Sequence, residues 1–219
     1  MAVRLVVLDC DGTLVDSEAG IVRAMDTALA RLDLPARRPA EVRAVVGLSL
    51  LEAAARLVPE APAAQHAALV DAYRAAYREL RAEPGFEQAL FPGTLDFLDE
   101  VQRRGILLGV ATGKSRAGLA TTLDLHGLRS RFAVLKTADD APSKPHPGML
   151  LQAMEETGSR PEETFFVGDT TFDMEAARNA GAVGVGVSWG YHPPDLLQAA
   201  GAAVVVRDHP QLLRFLQER

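Results

Sequence analysis

LVVLDCDGTLVDS, residues Leu5 to Ser17, opens on four apolar residues and then presents two carboxylates, Asp9 and Asp11, with Cys10 between them. A strand covered on both faces reads as such an unbroken run. Asp9 therefore stands where the strand leaves the core. Side chains alternate along an extended chain, so Asp9 and Asp11 can point one way while Cys10 points back into the core. Two carboxylates aimed at one spot repel unless a cation lies between them or one is protonated. Gly12 lets the backbone turn away with no side chain in its path. Alone, Asp-Cys-Asp-Gly would read as a strand-ending turn, because Asp and Gly dominate turns. The polar ends of three later strands change that reading.

Beyond this strand, residues 18–31 carry Ile21, Val22, Met25, Ala28 and Leu29 at helical spacing. Further helices are expected over 40–46, 50–57 and 62–81. In the last, His66, Leu69, Val70, Tyr73, Tyr77 and Leu80 form one stripe. A stripe at that spacing is read chiefly as core packing, although Tyr73, Tyr77 and His66 could line a pocket. From Gly93 the rhythm changes to strand, loop, helix. Strands are expected over 106–111, 132–135, 164–167, 183–187 and 203–206. Helices are expected over 93–104, 116–126, 147–157, 171–180 and 210–217. Such alternation predicts an α/β fold, a doubly wound parallel sheet with helices on both faces. The all-helical stretch from 17 to 91 is too long for a loop, so it is read as a helical cap domain inserted after the first strand. The core domain is then 1–16 and 92–219.

The composition narrows the class of function. Of 219 residues, 48% are hydrophobic, enough for a sizeable core. A formal charge of −6 gives no electrostatic reason to expect nucleic acid or an anionic membrane surface as partner. The single cysteine excludes an internal disulfide framework and a cysteine-rich zinc site. No apolar run approaches the roughly 20 residues that span a bilayer, and no signal-peptide pattern opens the chain. A soluble cytoplasmic protein is expected. Its oligomeric state is left open.

In open α/β sheets, ligands bind beyond the carboxyl ends of the strands. Those ends supply Asp9 and Asp11, Thr112, Lys144 in PSKPHP, and Asp169 with Asp173 in GDTTFDM. The carboxylates suit a hard divalent cation, and the hydroxyl and ammonium suit phosphate oxygens. A phosphoryl group bridges the two kinds. Lysine is scarce, at Lys114, Lys136 and Lys144, and the prolines around Lys144 stiffen its loop. His146 is read as a structural residue of that loop. Asp169 and Asp173, four apart, share a face if the turn that holds them is helical. Helix capping by Asp169, Thr170 or Thr171 would not need the second acid. Gly109 to Ser115 approaches a nucleotide-binding P-loop but has three residues between its glycines where four are required.

In this order DCDGTLVDS, the threonine after the second strand, the Lys-Pro-x-Pro loop and GDTTFD resemble the four motifs of the haloacid dehalogenase superfamily. GDTTFDMEAARNAGAVGVGVSWGYH is similar to its phosphoglycolate phosphatase-like branch. The resemblance implies a Rossmann-like core with a small helical cap, and a Mg2+-dependent phosphatase acting on a small phosphomonoester, with phosphoglycolate the suggested one. By that resemblance Asp9 attacks phosphorus to form an aspartyl-phosphate, and Asp11 protonates the leaving oxygen and then activates water. Thr112, Gly113 and Lys144 hold the phosphoryl oxygens. Magnesium is held by Asp9, the Asp11 backbone carbonyl and Asp169, with Asp173 supporting. Gly113 departs from the asparagine common there, which removes a side-chain hydrogen bond and leaves a backbone N–H.

Two other functions compete. A phosphosugar mutase of the same superfamily would return the phosphoryl group to its substrate, although such members more often carry Glu-Asp where this chain has Gly168-Asp169. A non-catalytic phosphate-binding regulatory module would have no need of Asp9, Asp11, Lys144 and Asp169 together. A halide-releasing dehalogenase would not need Asp11. Substrate selection is expected from residues 47–52, with Ser49 or Arg43 as contacts, while Asp16 and Glu18 are read as helix-capping residues.

Overall fold

The computed structural model describes residues 3–219. Its centre is the apolar run at the start of the chain, β1 (Leu5–Leu8), every residue of which is buried. Val6 and Leu8 pack into one hydrophobic cluster with Phe97 and Leu108, whereas Leu5 and Val7 pack into another with Met149 and Phe166. The two clusters lie on opposite faces of the sheet, as the two-residue period of a strand requires.

Six parallel strands run in the order β3 (Val134–Lys136), β2 (Leu107–Ala111), β1, β4 (Thr164–Gly168), β5 (Val183–Val187), β6 (Val204–Val206). The chain therefore winds outward from β1 in one direction and from β4 in the other. The crevice between them is the switch point at which ligands of such sheets bind. Register fixes what stands there: Leu8 pairs with Val167, and the Asp9 N–H donates to the Val167 carbonyl at 2.9 Å. The helices α5 (Thr94–Arg103), α6 (Arg116–Leu125), α7 (Gly148–Thr157), α8 (Thr171–Ala180), α9 (Pro194–Ala200) and α10 (His209–Gln217) complete this part.

Four helices lie between β1 and α5 in the chain: α1 (Glu18–Arg31), α2 (Pro39–Arg43), α3 (Leu50–Leu57) and α4 (Ala63–Arg81). They enclose an apolar cluster of their own that includes Met25, Leu29, Leu57 and Leu69, and Phe172 of α8 reaches into it. The chain's way into this segment and its way out lie side by side. The Asp16 N–H donates to the Ala89 carbonyl at 2.8 Å, and the Phe91 N–H to the Leu14 carbonyl at 3.1 Å.

Most expected elements are present with ends moved by one or two residues. The helix expected over 40–46 is shorter, since α2 stops at Arg43 and turns follow to Gly47. The helix α9 was not expected. Pro193-Pro194 reads as a break, yet proline fits the first helical turn, where its missing N–H has no partner to lose, and Gly201 in a left-handed conformation ends the helix.

Candidate active site

Asp9 lies 1% exposed just past β1. Its Oδ1 accepts the Cys10 N–H at 2.7 Å. Its Oδ2 sits 2.9 Å from the Lys144 ammonium as an ion pair, but no aligned hydrogen bond reaches it. Among the described carboxylates this is the one buried oxygen so placed. Burial pushes the Asp9 carboxyl up to about 7; Lys144 opposes that rise and Asp173 adds to it.

Lys144, whose side chain is fully enclosed, bridges Asp9 and Asp173, the latter at 2.6 Å. Its burial opposes the charge, yet the two carboxylates prevail and hold the ammonium above its usual range. Asp173 does two things at once. Its Oδ2 accepts the Thr170 N–H and hydroxyl, closing a capping box at the start of α8, while its Oδ1 takes Lys144. The second acid thus serves the cap as well, contrary to the expectation that capping had no use for it. Asp169 accepts the Thr13 hydroxyl at 2.8 Å and the Tyr191 N–H at 3.0 Å. Its burial, with Asp173 and Asp9 nearby, raises its pKa well above the carboxylate range.

One oxygen from each of Asp9, Asp169 and Asp173 lies within 4.8 Å of the others. Three enclosed carboxylates, one oxygen of which lacks a hydrogen bond, fit a hard divalent cation. Gly12 makes room for this cluster. Its φ of 81° is in the left-handed region, and a Cβ there would stand 2.2 Å from Asp169 Oδ2.

Asp11 faces a different neighbourhood. Lys114 Nζ is 2.9 Å from its Oδ2, and Ser17 donates its hydroxyl to Oδ1. Burial works against the Lys114 charge, but Asp11 holds the ammonium above its ordinary range. Cys10 is buried in the core, which pushes its thiol up and leaves it inert. Asp9, Asp11, Thr112, Gly113 and Lys114 all border one cavity of about 550 Å3 between the sheet's carboxyl edge and the helical segment.

The sequence-predicted residues are therefore brought together, Asp11 and the Asp169–Asp173 pair on different sides. Reasoning from sequence missed Thr13, Ser17, Lys114 and Tyr191. Of these only Lys114 had a signal, since a lysine two residues after Thr112 at a strand end is close enough to reach the same crevice. Tyr73 and Tyr77 line the cavity, while His66 turns away to the Val58 carbonyl at 2.9 Å. Arg43 and Ser49 are not in its lining. Arg43 pairs with Glu18 at 2.6 Å, and Ser49 caps α3 and donates its N–H to Ser143. Gly47, Leu48 and Leu50 border the cavity instead. His146 accepts the Gly148 N–H, a structural role in its loop.

A family model described as haloacid dehalogenase-like hydrolase matches residues 6–187, most of the chain and both halves of this site. The chain belongs to the haloacid dehalogenase-like hydrolases. Among its relatives, a Dickeya dadantii protein named "Probable phosphatase IndB" is 40% identical, with 92% of this chain and 88% of that one covered. An Escherichia coli phosphoglycolate phosphatase is 32% identical, with 98% and 92% covered. The crystal structure of a hydrolase from Pseudomonas syringae superposes with a TM-score of 0.88 at 28% identity, covering 99% of this chain and 98% of that one. No helix among the described residues is long and apolar enough to cross a membrane.

In this chain Gly113 has a steric reason. A Cβ at that position would lie 2.2 Å from the Leu48 carbonyl oxygen and 2.7 Å from that of Gly47. The helical segment thus rests its backbone directly on the residue after Thr112. Gly113→Asn is expected to push residues 47–48 off the sheet edge and destabilise the protein by about 1–3 kcal/mol, the usual range for overpacking, as read by denaturant unfolding.

Proposed function

We propose that the chain is a Mg2+-dependent phosphatase that hydrolyses a small phosphomonoester through an aspartyl-phosphate on Asp9. The observation that carries this reading is Asp9, which borders a cavity that Thr112 also borders and whose buried Oδ2 is ion-paired with Lys144 at 2.9 Å but receives no aligned hydrogen bond. An attacking oxygen must be free of hydrogen bonds that would hold its lone pairs, and it must be desolvated. Asp9 attacks phosphorus, and the ester oxygen leaves with a proton from Asp11. Asp11 then takes a proton from the water that cleaves the acyl phosphate. Ser17 and Lys114 engage both Asp11 oxygens, which fixes the carboxyl at the cavity wall. The Thr112 hydroxyl, the Gly113 N–H and the Lys144 ammonium bind the phosphoryl oxygens.

Asp9, Asp169 and the Asp11 backbone carbonyl would hold the metal, with Asp173 behind them orienting Lys144. When bound, magnesium offsets negative charge on the phosphoryl oxygens. Residues 17–91 act as a cap domain over a core of 1–16 and 92–219, and their seating on Gly113 keeps bulk water from Asp9. The reading places this work on a dissolved small molecule in the cytoplasm, with neither nucleic acid nor membrane as partner. Phosphoglycolate, named in the relatives, is the reference ester. Phosphate release from it and from a panel of phosphomonoesters, present with Mg2+ and lost with chelator, tests the reading; no Mg2+-dependent release from any ester sinks it.

Metal binding should also depend on pH in a defined direction. Asp9 ionises at about 7 in the fold against an ordinary 3.8, so the metal-free protein binds more protons folded than unfolded between these values. Its contribution to stability is full below the lower value and lost as pH rises through the upper. A cation displaces those protons. The Mg2+-induced rise in Tm is therefore expected to grow from about pH 5 to about pH 8, and an equal rise at both would contradict the assignment of Asp9 to the metal.

A further inference from the structure

The cavity above Asp9 is much larger than a glycolate leaving group can fill. Its volume of about 550 Å3 falls in the range of pockets that enclose sizeable organic ligands. Away from the phosphoryl cradle its walls are Ile21, Met25, Val42, Val45, Tyr73 and Tyr77. The two tyrosine rings stand 5.8 Å apart, tilted by 35°, and offer an aromatic surface. A two-carbon carboxylate would leave most of that surface against water.

The charge at the outer part of the same cavity is unbalanced. Arg74, Arg78 and Arg81 border it from α4, at a spacing that puts them on one helix face. The nearest carboxylate oxygen to Arg74 belongs to Asp71, at 3.9 Å. Among the described residues Arg78 and Arg81 form no ion pair, and the Arg81 guanidinium lies 5.9 Å from the Tyr77 ring centre. By contrast Arg23, Arg31 and Arg43, elsewhere in the helical segment, are each paired with a glutamate. Asp139 also borders the cavity, and it is turned to the Arg116 N–H at 2.8 Å. Arg56, Arg178, Arg207 and Arg214 are also without an ion pair, but among the described residues Arg74, Arg78 and Arg81 are the guanidiniums that border this cavity.

Resting on the phosphatase reading, we infer that the leaving group has a flat apolar body, seated against Tyr73 and Tyr77, and carries an anionic group at the end remote from the ester phosphate, met by Arg74, Arg78 and Arg81. Glycolate has the anion but lacks the body.

The test uses the full chain with Mg2+ and three alkyl esters, each of which releases an alcohol: phosphoglycolate, benzyl phosphate and para-carboxybenzyl phosphate. Covering the ring should raise kcat/KM for benzyl phosphate over phosphoglycolate by about thirtyfold. The carboxyl should add about tenfold more, as a bond between charged groups does. Arg78→Met should cut that last advantage to about twofold, with Arg74→Met as a second variant on the same face. Phosphoglycolate equal to or better than the aromatic esters, or no advantage from the carboxyl, overturns the inference while leaving the phosphatase reading intact. Calorimetric binding of benzylphosphonate, para-carboxybenzylphosphonate and phosphonoacetate separates the two ideas. If no ester is hydrolysed, the phosphatase reading falls, and these affinities decide the pocket: tightest binding of the para-carboxyl compound supports it, and equal binding overturns it.

Discussion

Asp9→Asn is expected to abolish phosphate release, by a factor of about 10⁴ or more, and to leave the fold at least as stable as before. The first half follows from chemistry: an amide oxygen in place of the carboxylate removes the nucleophile, and no neighbouring group is placed to replace it. Asp11 is the nearest candidate, but both its oxygens are engaged by Lys114 and Ser17. The second half follows from burial. A carboxyl that ionises only near 7 is a group whose charge the fold resists. Asparagine relieves that crowding with Asp169 and Asp173. Phosphate release and thermal unfolding, measured on the same preparation, check both parts. Residual activity above about one part in a thousand would remove Asp9 from the nucleophile's role.

Lys144→Ala is the mirror case, in which activity and stability fall together. The ammonium stands between Asp9 at 2.9 Å and Asp173 at 2.6 Å, with no solvent to replace it. Removing one partner of a buried ion pair typically destabilises by about 3–5 kcal/mol, because the remaining charges stay buried and unpaired. For a chain of this length that lowers Tm by about 10 °C. Mg2+ should restore part of the lost stability, since a cation among the three carboxylates supplies some of the missing charge, but not activity, since in the proposed reaction Lys144 also binds the phosphoryl oxygens. Thermal unfolding with and without Mg2+ measures this; an unchanged Tm in both conditions would show that the carboxylates are protonated in the resting protein.

What the sequence made legible was whatever depends on short range. The run Leu5 to Leu8 had to be a covered strand, and side-chain alternation put Cys10 inward and Asp9 outward. Alternation of strands and helices argued for a parallel sheet but left its strand order open. The pairing of side chains within the site was not readable. Which of two lysines meets which aspartate depends on where the Lys144 loop and the residues after Thr112 lie in space, and Lys114 with Asp11 is a contact between two strand ends. Thr13 on Asp169 spans most of the chain. The reason for Gly113 was equally hidden, because its neighbour, the backbone of Gly47 and Leu48, belongs to the helical insertion. The α4 stripe was ambiguous for a different cause: its residues serve two surfaces, with Leu69 and Leu80 facing inward while Tyr73 and Tyr77 also face the cavity.

The paired crossings at Asp16–Ala89 and Leu14–Phe91 make everything between them a closed excursion from the sheet's standpoint. The two ends meet wherever the excursion goes, so its length enters only through a loop-closure term that grows by about 0.6 kcal/mol per doubling. A segment of another size or shape could be grafted at the same two points without changing the register of β1, β2 or β4. On the proposed reading, the chemistry of bond cleavage and the choice of molecule to be cleaved are thereby stored in separately replaceable parts, so that a single chain could acquire a new substrate while its reaction stays the same.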